Sequence, residues 1–514
     1  ANPKRNFSIE FWQEDADEDR DLALLGMPAD SDWVLRGPFD IDRSFTRDAF
    51  AFELSNQVGR YAPRTRFVEV FDNQSGSDVT FASDYAGVYV LSERIKRGAN
   101  RVDVEKLSAS FTTEPEITGG YIIKRDDANP GDGGFTVGGL GLQWHEPSES
   151  EIHQRSAQRT YLTNYLSEFY AALSNVPNFT HPTSGQHYSE YIDFQSWIDH
   201  NILSVYMLEG DAFWLSTYMF KNRDGKLEMG PLWDMDRSMD SGIEPGDNSP
   251  FAWQNTIRTG PYLDFAWWQH LWDDPDFHQG WIDRWQQWRD GPLSNSNVTE
   301  IMDRFAAELM EAQVRNCDRW CGTPSALGGV NQVVDPRTFG GQFVTGTWQG
   351  SGALDGTWQG EINHHKVWLE TRADWMDTQF LSRPTLSHQG GIIQQPFSLT
   401  LSGPAGATLY YTTDGTDPRA SGGGISGSAT AYSGPINVSD DTVIRVRTYN
   451  ASFTSQFHGV ERWSGPQFAS FTVDESPVRI TEINYNPHAP TVSELATIPS
   501  LDNDDFEFVE VQNT

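Results

Sequence analysis

Between Glu209 and Asp240 the chain reads EGDAFWLSTYMFKNRDGKLEMGPLWDMDRSMD, in which Asp211, Asp234 and Asp236 interrupt runs of aromatic and aliphatic residues. A carboxylate in apolar surroundings costs several kcal/mol unless something pairs with it, and a divalent cation is a common partner. Residues 203–209 read as the end of a helix, 214–221 as a strand, Asn222-Arg223-Asp224-Gly225 as a hairpin turn and 226–233 as the returning strand. That hairpin puts Asp211 at the mouth of its first strand and Asp234 at the end of its second. Two carboxylates converging in this way suit Mg²⁺ or Mn²⁺ held against phosphate oxygens. The same spacing also fits an exposed turn with two helix-capping aspartates, and spacing alone does not choose between them.

Charge narrows the partners. The chain has 37 basic and 72 acidic residues, a net of −35, which repels nucleic acid and anionic membrane and favours basic partners or a saline medium; a Lys- or Arg-rich protein substrate fits, one that is also Ser-rich included. Acidity that only keeps a secreted protein soluble explains the same numbers. At 514 residues there is more chain than one domain needs. No apolar run approaches the ~18 residues that cross a bilayer, so no membrane span is expected. The chain opens at Ala1 without a start methionine, which predicts processing or truncation. Its two cysteines, Cys317 and Cys321, make a poor zinc site without further ligands. They predict a local disulfide and an oxidising compartment, with two buried thiols as the alternative.

Several segments invite more than they carry. GDGGFTVGGLG (131–141) lacks the GK[ST] ending of a phosphate-binding loop and reads as a mobile hairpin, with a cover over a nucleotide as the alternative. DADEDRD (15–21) lacks the glycine and closing glutamate of a calcium loop and reads as a solvated acidic turn. Trp281, Trp285 and Trp288 fall on one helical face, which predicts a buried stripe rather than a sugar platform. The GTWQG echo (346–350 and 356–360) is too short for a repeat and reads as a loop insertion before the helix at 361–380. After Arg383-Pro384 the pattern turns to short alternating strands through 473, which predicts a small β-sandwich.

The run GPLWDMD after a GK-containing hairpin, preceded by DAFWLSTYM, resembles the signature of the CotH (spore coat protein H) kinase family. The likeness extends to SDWVLRGPFD (31–40), TRDAFAFELSNQVGRYAPRTRFVEVF (46–71), AGVYVLSERIKRGANRVDVEKL (86–107), GGYIIKRD (119–126) and EINHHKVWLETRADWMDTQF (361–380), in the family's order. The resemblance implies an α+β, atypical two-lobed protein-kinase-like fold. The implied activity is metal-dependent transfer of the ATP γ-phosphate to Ser or Thr of extracellular or cell-surface proteins in a bacterial, secreted setting. Carried over by position, Asp211 and Asp234 are the catalytic and metal-binding aspartates, with Asp236 a second metal ligand. Lys124 and Glu93 are matched to the nucleotide pocket. Arg47 takes the place of a family arginine and is assigned either to nucleotide or to a structural ion pair.

Two departures accompany the match. Where relatives read WDFDxxFG, this chain has Met239 and Asp240; Asp48 stands where asparagine is common. Gly to Asp at 240 removes backbone freedom and adds a negative charge near the expected phosphate site. Residues 410–419, YYTTDGTDPR, resemble the chitobiase/hexosaminidase C-terminal Ig-like module, where Asp414 and Asp417 read as turn residues. VRITEINYNP (478–487) and DDFEFVEVQNT (504–514) resemble the opening of a lamin-tail domain. Two strands leave that sandwich open, which predicts that the natural chain continues past Thr514. The expected organisation is therefore 1–383 kinase-like, 384–474 β-sandwich and 475–514 a truncated β module. The alternative function is a non-catalytic extracellular scaffold with a kinase-like fold; a glycoside hydrolase is a distant third, because no carboxylate pair sits in a recognisable barrel pattern.

Overall fold

The computed structural model describes residues 4–14, 18–39, 41–127, 133–210, 212–241, 249–253, 267–320, 357–454, 462–473, 478–485 and 487–513. The chain divides into two compact units. The first comprises Ala1–Arg383 with Arg419–Gly424 and Thr448–Gly465; the second comprises Pro384–Pro418, Ile425–Arg447 and Pro466–Thr514. Residues 475–514 are not separated from the second unit.

The first unit opens with β1 (Phe7–Glu10), β2 (Asp32–Arg36), helix α1 (Arg47–Gln57), β3 (Thr65–Phe71), the short α2 (Phe81–Asp84) and β4 (Tyr85–Glu93). The strands form an antiparallel sheet in the order β1-β2-β4-β3, with Leu35 opposite Leu91 and Val68 opposite Tyr89. β4 is central and buried along nearly its whole length, which its sequence YAGVYVLSE permits. A second sheet follows from β5 (Tyr121–Arg125), β6 (Gly134–Val137) and β7 (Leu140–Glu146). After helices α3 (Glu149–Ile152), α4 (Ser156–Leu173) and α5 (Phe194–Met207) it is completed by β8 (Thr217–Lys221) and β9 (Leu227–Met229). Its order is β6-β7-β5-β8-β9. The glycine-rich segment is the β6–β7 hairpin, turned at Gly138 and Gly139 with φ of +56° and +79°.

Helices α6 (Trp267–Asp273), α7 (Pro275–Arg289), α8 (Asn295–Leu309), α9 (Ala312–Trp320) and α10 (Trp358–Thr378) complete the unit. Their starts are chemically marked. Asp193 caps α5, Asp274 caps α7 ahead of Pro275, and Thr357 caps α10, each side chain accepting a backbone N–H of the first turn. Trp281, Trp285 and Trp288 are buried, and Trp197, Trp267 and Trp368 join them in one continuous core with the second sheet. Indole N–H groups find partners there: Trp281 donates to Asn201 Oδ1 at 2.9 Å and Trp285 to Asp377 Oδ1 at 2.9 Å. DADEDRD is described only from Glu18 onward, and the first GTWQG copy lies outside the described residues.

The second unit contains β10 (Thr385–Leu386), β11 (Gly391–Ile393), β12 (Phe397–Leu399), β13 (Leu401–Ser402), β14 (Thr408–Thr412), β15 (Thr430–Ala431), β16 (Ile436–Val438), β17 (Thr442–Tyr449) and β18 (Gln467–Val473). The larger sheet runs β11-β18-β17-β14-β15, and smaller pairs β12-β16 and β10-β13 accompany it. Leu399, Val438, Ile444, Val446 and Phe471 form a core of their own. Asp414 accepts the N–H of Thr416 at 3.0 Å, an Asx-type turn, and Asp417 binds Arg447 through both oxygens at 2.7 Å. β19 (Val478–Asn484), α11 (Val492–Thr497) and β20 (Phe508–Asn513) follow, the two strands pairing antiparallel with a bulge at Ile480/Glu482. No helix among the described residues is long and apolar enough to cross a membrane.

Candidate functional site

The Glu209–Asp240 hairpin is present, with shorter strands than its sequence predicts. Met219 pairs with Met229 and Lys221 with Leu227, and the Gly225 N–H closes the turn on the Asn222 carbonyl at 3.2 Å. The ladder ends at Met229 because Pro231 has no N–H to donate. Beyond it Asp234 takes a left-handed conformation, φ +58°, and leads into a short 3₁₀ turn, Met235–Arg237. Left-handed non-glycine residues crowd this stretch: Leu208, Phe213, Ser216, Asp224, Asp234, Met239 and Asp240. Backbone strain of this kind gathers where the surrounding structure over-determines a site.

Asp234 is not surrounded by solvent alone. Arg36, at the end of β2, reaches it through Nη2 and reaches Asp48 Oδ2, on the first turn of α1, through Nη1 at 2.6 Å. Asp48 also accepts the N–H of Met235 at 2.8 Å. The Arg36 guanidinium lies 4.7 Å from the Trp233 ring centroid, and Trp233 stacks on Phe52 at 6.5 Å. Arg36 and Asp48 side chains are 12% and 9% exposed, whereas Asp234 is 38% exposed, so one carboxylate of the cluster is open to a ligand. Burial pushes Asp48 up to about 6, with Asp234 and Asp42 adding to the rise and Arg36 opposing it. Burial, then Asp234 and Asp48, push Asp236 well above the carboxylate range. Burial lowers Arg36, but the three carboxylates raise it more, so it stays charged.

The other predicted residues fall elsewhere. Asp211 lies outside the described residues. Lys124, on β5, has its Nζ 3.5 Å from Asp126 Oδ2, and the field of Asp234 reaches Asp126. Glu93 is fully buried and holds Arg64 and Arg101 at 2.7 Å each, together with the Tyr61 hydroxyl at 3.1 Å. Lys124 and Glu93, both matched to the nucleotide pocket, thus belong to two separate sets of ion pairs. Arg47 does not face open space. Fully buried, it donates to Asp42 Oδ1 at 3.1 Å and to the carbonyls of Ser238 and Asp240 at 2.8 and 3.3 Å, which corrects the nucleotide-contact assignment in favour of the structural one.

Asp240 likewise does not charge a phosphate site: it is buried and its Oδ2 meets His364 Nε2 of α10 at 2.7 Å. Its φ of +57° keeps the left-handed backbone that glycine would give, and aspartate is among the few residues that tolerate it. Cys317, buried on α9, is disulfide-bonded; Cys321 lies outside the described residues.

No group of three or more His, Cys, Asp or Glu among the described residues is arranged to hold a metal ion. The donor chemistry nevertheless fits one: Asp48 and Asp234 both lie on the buried Arg36 guanidinium, Asp236 feels both of those carboxylates as well as Arg36 and Arg237, and of the two that touch Arg36 it is Asp234 that is open. A cavity of about 260 Å³ is lined by Tyr61, Arg101, His200, Phe220, Glu228 and Leu232 among others, with none of Arg36, Asp48 and Asp234 in its wall.

The sequence model of the CotH kinase protein family matches residues 1–376. The chain belongs to the CotH kinase family. The match contains every element that builds the Asp234 cluster, from β2 to the His364 contact. A second match, to the chitobiase/beta-hexosaminidase C-terminal domain, covers residues 388–457. Comparison with curated proteins returns no match. Within this CotH chain, Arg36 and Asp126 are the site residues that sequence reading misses. The only local signal for Arg36 is a basic residue directly after the apolar strand DWVL.

Proposed function

We propose that this CotH-family chain is a secreted, metal-dependent protein kinase that transfers the ATP γ-phosphate to Ser or Thr of extracellular or surface proteins. The observation that carries the reading is the partly exposed Asp234, which lies with Asp48 on the buried Arg36 guanidinium and within the electrostatic reach of Asp236. Asp234, with Asp236 as a second ligand, would hold Mg²⁺ or Mn²⁺. When bound, such an ion neutralises phosphoryl charge, the main electrostatic need of phosphoryl transfer. Asp211 is the residue proposed to orient the acceptor hydroxyl and take its proton. The disulfide at Cys317 supports an oxidising compartment, and the net charge of −35 supports a basic acceptor.

Incubation with γ-labelled ATP and Mn²⁺ or Mg²⁺, using the protein itself and a basic serine-rich protein as acceptors, tests the proposal. Label transfer should occur and should fall at least about a hundredfold in Asp234→Asn, since removing an essential charge-stabilising group costs about that much. Absence of both transfer and nucleotide binding in the wild type refutes it. A non-catalytic scaffold is the second reading. It is favoured by Arg36 sitting on Asp234, where a cation is required, and it predicts no nucleotide binding at all.

A further inference from the structure

Among the basic side chains around Asp234, Arg237 follows it in the same 3₁₀ turn and acts on Asp236, and the two that reach in from other strands, Lys124 and Arg36, differ in how they are held. Lys124 has its ammonium near Asp126, an acid on its own strand end. Arg36 bridges the two walls of the site, from the end of β2 to the first turn of α1 and the post-hairpin turn. One edge of its guanidinium is fixed by Asp48, which is itself fixed by the Met235 N–H, and its face rests on Trp233. The other edge touches Asp234, the exposed member of the cluster. A planar fork with one edge anchored and the other on an exchangeable carboxylate is pre-organised to take an anionic oxygen in place of that carboxylate.

We propose that Arg36 is the phosphate-binding cation of the nucleotide site, that Asp48 is its positioning residue, and that Lys124 is not the principal phosphate contact. This rests on the kinase reading above. In the ligand-free chain Arg36 neutralises Asp234. Once a polyphosphate enters with its divalent ion, the Nη2 edge turns from Asp234 to a phosphoryl oxygen while Nη1 stays on Asp48. Arg36 and Asp48 would thereby act as one unit. The departure from asparagine at 48 becomes intelligible: a full negative charge holds a guanidinium in a fixed orientation better than an amide does.

The test is direct binding to the full chain. Dissociation constants for Mg-ADP are measured by calorimetry for wild type, Arg36→Lys, Arg36→Gln, Asp48→Asn, their double variant and Lys124→Ala, with melting temperatures recorded alongside. Binding of Mn²⁺ alone is followed by electron paramagnetic resonance. Arg36→Gln should weaken Mg-ADP about thirtyfold or more, and Arg36→Lys about tenfold, because a point charge cannot use both edges. Lys124→Ala should weaken it less than threefold. Asp48→Asn should weaken it severalfold, and its effect should largely vanish in the Arg36→Gln background, the coupling expected of one unit and not of independent structural roles. Mn²⁺ alone should bind Arg36→Gln at least as tightly as wild type, since Asp234 has lost its competitor.

Wild-type affinity in folded Arg36→Gln, or a larger loss in Lys124→Ala than in Arg36→Gln, overturns the inference while leaving the kinase reading standing. Wild type that binds no nucleotide overturns both. If Arg36→Gln does not fold, the comparison of Arg36→Lys with Lys124→Ala decides.

Discussion

Arg47→Met separates a fastener from a ligand contact. The substitution keeps the apolar stem and removes the guanidinium. Asp42 then loses a charged partner at 3.1 Å but keeps the Ser44 hydroxyl at 2.8 Å and the Arg47 backbone N–H at 2.9 Å. The Ser238 carbonyl loses a 2.8 Å donor, and the carbonyls of Met239 and Asp240 lose weaker ones at 3.5 and 3.3 Å. A buried acceptor left unsatisfied costs about 1–3 kcal/mol, and breaking a buried ion pair about 3–5 kcal/mol. With Asp42 still partly satisfied and two of the contacts long, the total should be about 3–5 kcal/mol. All 19 tryptophans fall within the first compact unit, so urea unfolding followed by tryptophan fluorescence reports on the unit that holds Arg47. The midpoint should fall accordingly, with the slope unchanged. A loss below about 1 kcal/mol, or a stable variant whose only defect is weak nucleotide binding, refutes the fastener role.

Two more predictions concern other parts of the chain. Burial pushes His200 down to about 4 from its ordinary 6.5, so the folded chain keeps it neutral while the unfolded chain protonates it. That part of the stability is complete above about pH 6.5 and is lost as pH falls towards 4, by up to about 3 kcal/mol. His200→Gln should flatten the fall in urea midpoint between pH 7 and pH 5, and an unchanged slope would count against it. In the second unit, Asp417→Ala leaves the buried Arg447 guanidinium without its two 2.7 Å partners. A loss of about 3 kcal/mol is expected, seen by calorimetry as a lowered transition to which tryptophan fluorescence is blind; an unshifted transition would refute it.

The sequence made some of this legible because the information was local. Asn222-Arg223-Asp224-Gly225 can do little except turn, and the apolar runs on either side pair as their alternation requires. The helix at 361–380 and the change of pattern after Arg383 are likewise matters of periodicity and turn chemistry, and both appear as α10 and a division of the chain. Ion pairing was not legible. Glu93 and Lys124 sit on strands of different sheets, and nothing in their spacing shows that each acquires other partners. Arg36 and Asp48 meet only because β2 and α1 pack on the turn after the hairpin. Helix α1 also buries Arg47 and Asp48 together with its phenylalanines, so it lacks the one-sided polar face that would have advertised their role.

The departures at 239 and 240 show how a strained loop persists without glycine. Left-handed backbone at Leu208, Asp234, Met239 and Asp240 costs free energy at each position, and the chain offsets it with contacts from distant segments. The Met239 N–H donates to the Met207 carbonyl at 2.9 Å. Arg372 of α10 caps the C-terminal end of α5, donating to the carbonyls of Val205 and Tyr206 at 3.1 and 2.7 Å, where a cation also meets the negative end of the helix dipole. Arg47 of α1 holds the carbonyls of 238–240, and His364 of α10 holds the Asp240 side chain. Two helices from opposite ends of the family match thus meet at the loop after the hairpin, and α10 also holds the end of the helix that precedes the hairpin. An aspartate at 240 is tolerated because its buried carboxylate meets a histidine, His364. It follows that the loop's geometry does not depend on the residue being glycine, and that position 240 by itself is no sign of a lapsed enzyme; under the kinase reading proposed above, phosphate binding would rest with the cluster of Arg36, Asp48 and Asp234.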